Sequence, residues 1–268
     1  SHKNGPMLHY LAVTDGTGPA HARNLGWRYS VAPIIAFTDD DTIPDPRWLE
    51  EGLRVMQKEN AAAAAGRIIV PLPDEPTDYE LDASGLERAE FVTANCFVRR
   101  ELLRECQGFD ERYAAAWRED ADLQFHCLER GYRIARATWA TVVHPVRPAG
   151  FGVSLKQQRK VQFDALLYRK YKGLYRERIR RSPRYDYYLT VALLLVGLVG
   201  AAVGNGLLAT ICLGAWALLT LRLCLRRLRH TSHAPMHVLE MLVTSAAIPP
   251  LAAFWRMVGN FRFRVLLL

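Results

Sequence analysis

Phe37-Thr38-Asp39-Asp40-Asp41 closes a short apolar run, Pro33–Phe37, and Pro44-Asp45-Pro46-Arg47-Trp48-Leu49 follows within a few residues. The run reads as a short buried strand. Asp45 with Pro46 behind it reads as the cap and first turn of a helix reaching about Lys58. Three consecutive carboxylates repel one another, so the triplet costs stability unless something cationic binds there. Mg²⁺ or Mn²⁺, held by one or two carboxylates plus substrate phosphates, is the hard-cation answer; a solvated acidic loop is the plain alternative. The setting favours ligation, because open α/β sheets bind ligands beyond the carboxyl ends of their strands.

Outward from this stretch, Leu8–Val13 predicts a strand, Thr14–Gly18 a turn and Ala20–Tyr29 a helix. Downstream, Ala61–Val70 ends in a strand, Arg67–Val70, and Pro71–Pro76 is a loop. Phe91–Val98 predicts a strand, Arg99–Cys106 a helix stopped by Gly108, and Asp120–Arg130 a helix with Gly131 past its end. Tyr132–Ala137 and Trp139–Val143 are strand-like up to His144-Pro145. Strands alternating with helices predict an α/β domain with a mainly parallel sheet over residues 1–175. No internal repeat is visible.

The chain has 268 residues, half of them hydrophobic and 23% charged, which excludes a disordered or collagen-like chain. Its net charge of +8 is unevenly spread. Residues 1–150 carry 17 basic and 23 acidic side chains, and residues 151–268 carry 18 basic and 4 acidic. The basic half is the half with long apolar runs, which reads as a membrane anchor and not a nucleic-acid clamp. A polyanion-binding role would rest on the acidic half, so nucleic acid is not an expected partner.

Residues 187–221 hold no charged side chain. As one helix they would reach about 52 Å, against a bilayer core of about 30 Å. Gly204-Asn205-Gly206 divides them, so residues 176–229 predict a hairpin with spans at about 187–203 and 207–223. Arg176, Arg178, Arg180, Arg181 and Arg184 precede it, and Arg222, Arg226, Arg227 and Arg229 follow. Both clusters belong on the cytoplasmic side, which an even number of crossings allows. The stretch Met236–Trp255 contains Glu240, is broken by Pro249-Pro250 and has basic flanks on both sides. Residues 230–268 therefore predict an interfacial or re-entrant segment in preference to a third span. The five cysteines form no CxxC pair and read as reduced packing residues.

Four further groups invite a chemical reading. Glu119-Asp120 opens a helix, where acids serve as caps, and can also supply a general base. His144 ends a strand as a structural histidine or a metal ligand. Arg23 and Asn24, after the Gly18-Pro19 turn, could contact a nucleotide or order the loop. Gln157-Gln158-Arg159-Lys160 reads first as a solvated face above a membrane.

Taken in order, Gly18-Pro19-Ala20-His21-Ala22-Arg23-Asn24-Leu25-Gly26, Phe37–Asp41 with Pro44–Leu49, Thr93-Ala94-Asn95, Gly108-Phe109-Asp110-Glu111 and Trp117-Arg118-Glu119-Asp120-Ala121-Asp122-Leu123 closely resemble bacterial glycosyltransferase family 2 enzymes of the GT-A fold. The resemblance spans about residues 8–180, and the tail resembles that of membrane-anchored members. It implies that Asp39 and Asp41 match the DxD motif and bind the donor ribose or diphosphate and its metal ion, with Asp41 the direct ligand. Asp40 belongs to the same donor-binding run, and His144 matches a metal-binding histidine of some members. Arg23 and Asn24 match a segment near the nucleotide, and Asn95 and Glu119 lie on the acceptor side. Asp120 matches the general base, which would deprotonate the acceptor hydroxyl and give inversion at the anomeric carbon.

The implied protein is a metal-dependent transferase that moves a sugar from a nucleotide-sugar donor to a saccharide or lipid-linked acceptor. Its implied setting is the bacterial cytoplasmic membrane, with the catalytic domain on the cytoplasmic side. Two departures qualify the match. Nothing before Leu8 corresponds to the family's opening strand, helix and second strand, so the GT-A domain is expected to be N-terminally incomplete, and a degenerate, non-catalytic membrane module is the alternative. The Gln-x-x-Arg-Trp motif of processive members also fails, since Lys160 and Val161 fill its last two places, which favours single transfer.

Overall fold

The computed structural model describes residues 7–268; the opening Ser1–Pro6 lies outside them. The first part of the chain carries strands β1 (Ile34–Thr38), β2 (Ile43–Pro44), β3 (Ala63–Ile69), β4 (Asn95–Arg99) and β5 (Ile134–Val143). Among them run helices α1 (Pro19–Tyr29), α2 (Trp48–Lys58), α3 (Asp78–Ala83), α4 (Arg100–Glu105) and α5 (Glu119–Glu129). Then follow α6 (Val153–Gln157), a 3₁₀ turn at Gln158–Val161, α7 (Gln162–Lys170), the single turn α8 (Lys172–Leu174) and a π-helical turn at Tyr175–Ile179. Three long helices complete the chain: α9 (Tyr185–Ala202), α10 (Gly206–Leu228) and α11 (Pro235–Phe263).

The class is α/β, but the sheet is mixed and not mainly parallel. Its order is β1-β4-β3-β5-β2, and only β3 and β5 pair in parallel. A parallel neighbour needs a crossover that returns the chain to the starting end of the sheet. The excursion from Val70 to Ala94 makes no such return, so Cys96 pairs with Ala65 and β4 runs back along β3. Leu8–Val13 forms no strand: Leu8 and Tyr10 are exposed, and among the described residues no strand lies beyond β1 to pair with it.

Alternation along the strands fills both faces of the sheet. Ala63, Ala65, Cys96 and Val98 face Trp27 of α1, Leu102 and Leu103 of α4, and Leu123 and Cys127 of α5. Ala64 and Phe97 face Trp48 and Met56 of α2. The α2 backbone lies so close to the sheet that a Cβ on Gly52 would fall 2.1 Å from the Phe97 ring. Asp45 does not cap α2. Its carboxylate accepts from the Arg47 amide at 2.9 Å and its carbonyl from the Trp48 amide at 2.8 Å, a turn that delivers the chain to the helix one residue later. All five cysteines are free.

Helices α9, α10 and α11 are each long and apolar enough to cross a membrane. The first two form a tight pair. A Cβ on Gly197 would meet Leu213, and one on Gly200 would approach the Ala209 backbone at 3.1 Å, so small residues let the two axes close. Gly204 adopts a φ of 75° in the turn, and the Asn205 side chain caps α10 by accepting from the Leu208 amide. The third apolar stretch is one helix that runs through Pro249-Pro250 without breaking. Both of its ends rest on the sheet domain. Near the first, Glu240 accepts from the Gly152 amide at 2.7 Å; at the second, Phe263 packs with Tyr113 and Phe163. Arg227 of α10 locks the layers together, donating to Asp78 of α3 at 2.8 Å, to Thr244 of α11 at 2.7 Å and to Ser154 of α6 at 3.2 Å.

Candidate active site

Three backbone ends meet at one edge of the sheet. Strand β1 delivers Asp39–Asp41, and β5 delivers His144, whose amide extends the ladder by donating to the Ile69 carbonyl at 2.8 Å. Helix α5 begins with Glu119 and Asp120. Its N-cap, Arg118, holds a left-handed φ of 78°, a conformation that costs a non-glycine residue on the order of 1 kcal/mol or more and is found where surrounding structure over-determines it.

His144 Nε2 lies 3.6 Å from Asp41 Oδ1 and 3.7 Å from Asp39 Oδ2, and one ligand atom from each of the three residues fits within 4.8 Å of the others. Two carboxylates and an imidazole that close together are a donor set suited to a divalent cation. Burial works against the Asp39 charge, but the hydrogen bond with His144 and the Arg23 guanidinium outweigh it and hold the carboxyl below its usual range. The Asp39 hydrogen bond, against the effect of burial, likewise holds His144 above the usual imidazole value. Asp40, 89% exposed, stays outside this cluster and pairs with Arg147 at 2.8 Å. The same guanidinium reaches Asp41 through Nε.

Arg23 connects the cluster to the start of α5. Its guanidinium donates to Asp39 at 3.1 Å and to Glu119 at 2.8 Å. The second Glu119 oxygen accepts from the Trp117 amide at 2.7 Å, so this 3% exposed carboxylate is fully occupied in shaping the loop. Asp120 is different. One oxygen accepts from the Ala121 amide at 2.7 Å and the other has no partner among the described residues. Burial, then the Glu119 carboxylate beside it, push its carboxyl up to about 6. That value suits a group that must take a proton near neutrality.

Two predicted residues are elsewhere. Asn24 is buried; its amide nitrogen donates to the Phe109 carbonyl and to Glu111, both at 2.8 Å, and its oxygen accepts from Trp27 and from the Phe109 amide. It stitches α1 to the turn at Gly108, with no free polar atom for a nucleotide. Asn95 is equally committed. It donates to the Arg67 and Ala140 carbonyls and accepts from Trp48 Nε1, each at 2.8 Å. Those carbonyls flank the bulge where pairing jumps from Gly66–Ala137 to Arg67–Thr141. Asn95 therefore satisfies backbone that the bulge leaves unpaired.

Arg118 and Arg147 escaped the sequence reading. Both adjoin motifs it singled out, one directly before Glu119-Asp120 and the other three residues after His144. Arg118 stacks on Trp117 at 4.5 Å and donates to Asp164 at 2.7 Å.

Residues 1–110 match the family model described as Glycosyl transferase family 2. Over 163 residues the chain is 27% identical to the curated protein "Glycosyltransferase AglE" of Haloferax volcanii, an alignment covering 58% of this chain and 52% of that protein. The chain thus spans about half the length of the relative. The family-model match takes in the strand that ends at Asp39–Asp41, and over this part the chain is similar to glycosyl transferase family 2.

Proposed function

We propose that this chain transfers a glycosyl group, with inversion, from a nucleotide-sugar donor to a hydroxyl of a saccharide or lipid-linked acceptor at a membrane surface. The observation that carries the reading is the Arg23 bridge, which joins a cation-binding trio to the start of α5, where the one carboxylate oxygen left free belongs to Asp120. Asp39, Asp41 and His144 would hold a Mg²⁺ or Mn²⁺ ion. When bound, such an ion supplies counter-charge for the diphosphate that leaves the donor. Asp40 and Arg147, at the outer rim of the trio, face the solvent from which a donor enters.

Asp120 accepts the proton of the acceptor hydroxyl as that oxygen forms its bond to the anomeric carbon and the bond to the leaving diphosphate oxygen breaks. A single displacement of this kind inverts the configuration. The Glu119 carboxylate raises the basicity of Asp120, and Arg23 holds Glu119. The departure from Gln-x-x-Arg-Trp supports one transfer per acceptor in preference to polymer extrusion.

The catalytic domain is read as cytoplasmic, with α9 and α10 as the membrane hairpin, because basic clusters flank the hairpin on both sides. Helix α11 is read as interfacial. At about 1.5 Å per residue its 29 residues could span a bilayer, yet both ends touch the same domain. The test is release of nucleoside diphosphate from a panel of nucleotide sugars by the membrane-purified protein, with and without Mn²⁺. Metal-dependent release lost in Asp120→Asn supports the reading; release unchanged in Asp120→Asn refutes it. Under the alternative, a non-catalytic module of the same fold, no donor would be consumed.

A further inference from the structure

A cavity of about 270 Å³ lies where the sheet domain meets the long helices. Trp117 and Arg118 line it from the loop before α5, Arg180 and Arg184 from the approach to α9, and Arg256 from α11. Two carboxylates also face it. Asp164 is occupied, accepting from Arg118 at 2.7 Å, Trp117 at 3.0 Å and Tyr175 at 3.2 Å. Asp82 is pushed above its usual value by burial and by Asp78, against the pull of Arg227 and Lys160. Arg184 has its own partner in Asp186 at 2.7 Å.

Arg180 and Arg256 have no ion pair among the described residues. Arg256 is only 6% exposed, and its Nη1 is buried without a hydrogen-bond partner. Burial and the neighbouring Arg184 and Arg256 lower the value of Arg180 below that of an ordinary arginine. A basic cluster that merely marks the inner side of a membrane stays hydrated, whereas a buried guanidinium without a hydrogen-bonded counter-charge is costly to the fold. Four arginines line the cavity against two carboxylates, of which Asp164 is already taken by Arg118, Trp117 and Tyr175, so guanidinium exceeds counter-charge there. The matching chemistry is a phosphate, which takes guanidinium donors in pairs. The place selects the carrier: one wall is built from α9 and α11, and the opposite wall ends at Arg118, two residues before Asp120 in sequence.

We propose that this cavity binds the phosphate group of a membrane lipid, with Arg256 and Arg180 as its principal donors, and so holds a phosphate-bearing lipid acceptor beside Asp120. The acceptor role rests on the transferase reading, while the binding itself does not. The experiment titrates the full chain in neutral detergent with dodecyl phosphate, inorganic phosphate and phosphatidylglycerol, with no donor present, by calorimetry. Saturable dodecyl phosphate binding, weakened tenfold or more in Arg256→Gln and in Arg180→Gln and unchanged in Arg229→Gln at the exposed end of α10, is expected. No saturable binding, or wild-type affinity in both cavity variants, overturns the site. Inorganic phosphate binding as tightly as dodecyl phosphate overturns the lipid, and phosphatidylglycerol binding as tightly overturns the acceptor role in favour of bulk headgroups. Should Arg256→Gln fail to fold, the half-buried Arg180 carries the test. Binding without any sugar transfer would refute the transferase reading and leave the site standing.

Discussion

Arg23 donates to Glu119 at 2.8 Å across 96 residues of sequence, and the same guanidinium reaches Asp39. One side chain of α1 thus fixes the distance between the end of β1 and the start of α5. Removing it leaves a buried carboxylate without its cation. With Arg23 15% exposed, the loss is smaller than for a fully buried pair, about 2 kcal/mol. Arg23→Met should lower the melting temperature and cut kcat about a hundredfold, and adding Glu119→Gln should restore much of the stability but not the rate. If the double variant is as unstable as the sum of the singles, the two groups are not coupled.

Asp120 predicts opposite effects on rate and stability. Its carboxyl sits at about 6, so transfer, which needs the carboxylate, should rise with pH through about 6 and level off above it. The same shift means the fold favours the protonated form. Above about 6 the charge is carried at a cost, and below about 4 both folded and unfolded chains are neutral there. Asp120→Asn should therefore abolish transfer, melt above the wild type at pH 8 and match it at pH 4. A lower melting temperature at pH 8 would show that the charge is better compensated than the geometry implies.

The trio Asp39, Asp41 and His144 predicts a cation requirement with a defined pattern. His144→Ala and Asp41→Asn should raise the Mn²⁺ concentration for half-maximal activity at least tenfold, on the scale of losing a ligand. Asp40→Asn should change it less than twofold, because Asp40 lies outside the trio. Arg147 competes with a cation for Asp41, so Arg147→Ala should lower the requirement, modestly for so exposed a pair. Asp39 and Asp41 hold His144 protonated above the usual imidazole range, so the requirement should grow as pH falls and protons compete with the metal.

What the sequence disclosed, and what it hid, follows from where each signal is stored. The positions of Asp39–Asp41 and His144 at strand ends and of Asp120 at a helix start were legible because these are local features. The helices were legible to within a residue or two at α1 and α5, for the same reason. Strand direction was not, since whether β4 runs with or against β3 depends on the path of residues 70–94 and leaves no periodic trace. Asn24 and Asn95 carried the right residue type for ligand contact, and their occupation by Phe109, Trp48 and backbone carbonyls is a matter of tertiary distance alone. Arg256 directly follows Met236–Trp255, whose flanks read only as basic, and packing against the domain alone reveals its burial.

The role of Asn95 can be separated by experiment. Asn95→Ala leaves Trp48 Nε1 and the Arg67 and Ala140 carbonyls unpaired inside the sheet, a loss of about 3 kcal/mol at the scale of a few buried hydrogen bonds. The melting temperature should fall while the acceptor KM of the folded fraction stays within twofold. A raised acceptor KM with an unchanged melting temperature would return Asn95 to the acceptor side.

Helix α11 offers the sharpest test of how the protein meets its membrane. Its buried positions His237, Met241, Thr244, Ile248, Ala252, Arg256, Gly259 and Phe263 recur at helical spacing along one stripe. Met236, Leu239, Val243, Phe254 and Phe261 are exposed. The interfacial reading has α11 along the bilayer surface, where lipid covers the apolar side without stranding the Glu240–Gly152 contact. His233→Cys and Arg264→Cys, each in a Cys106→Ser background, place thiols at exposed polar positions just beyond the two ends. In sealed, inside-out vesicles a membrane-impermeant maleimide should label both. Labelling of one and protection of the other until detergent is added would mean that α11 crosses, and the Phe263 contacts with Tyr113 and Phe163 would then have to break in the membrane.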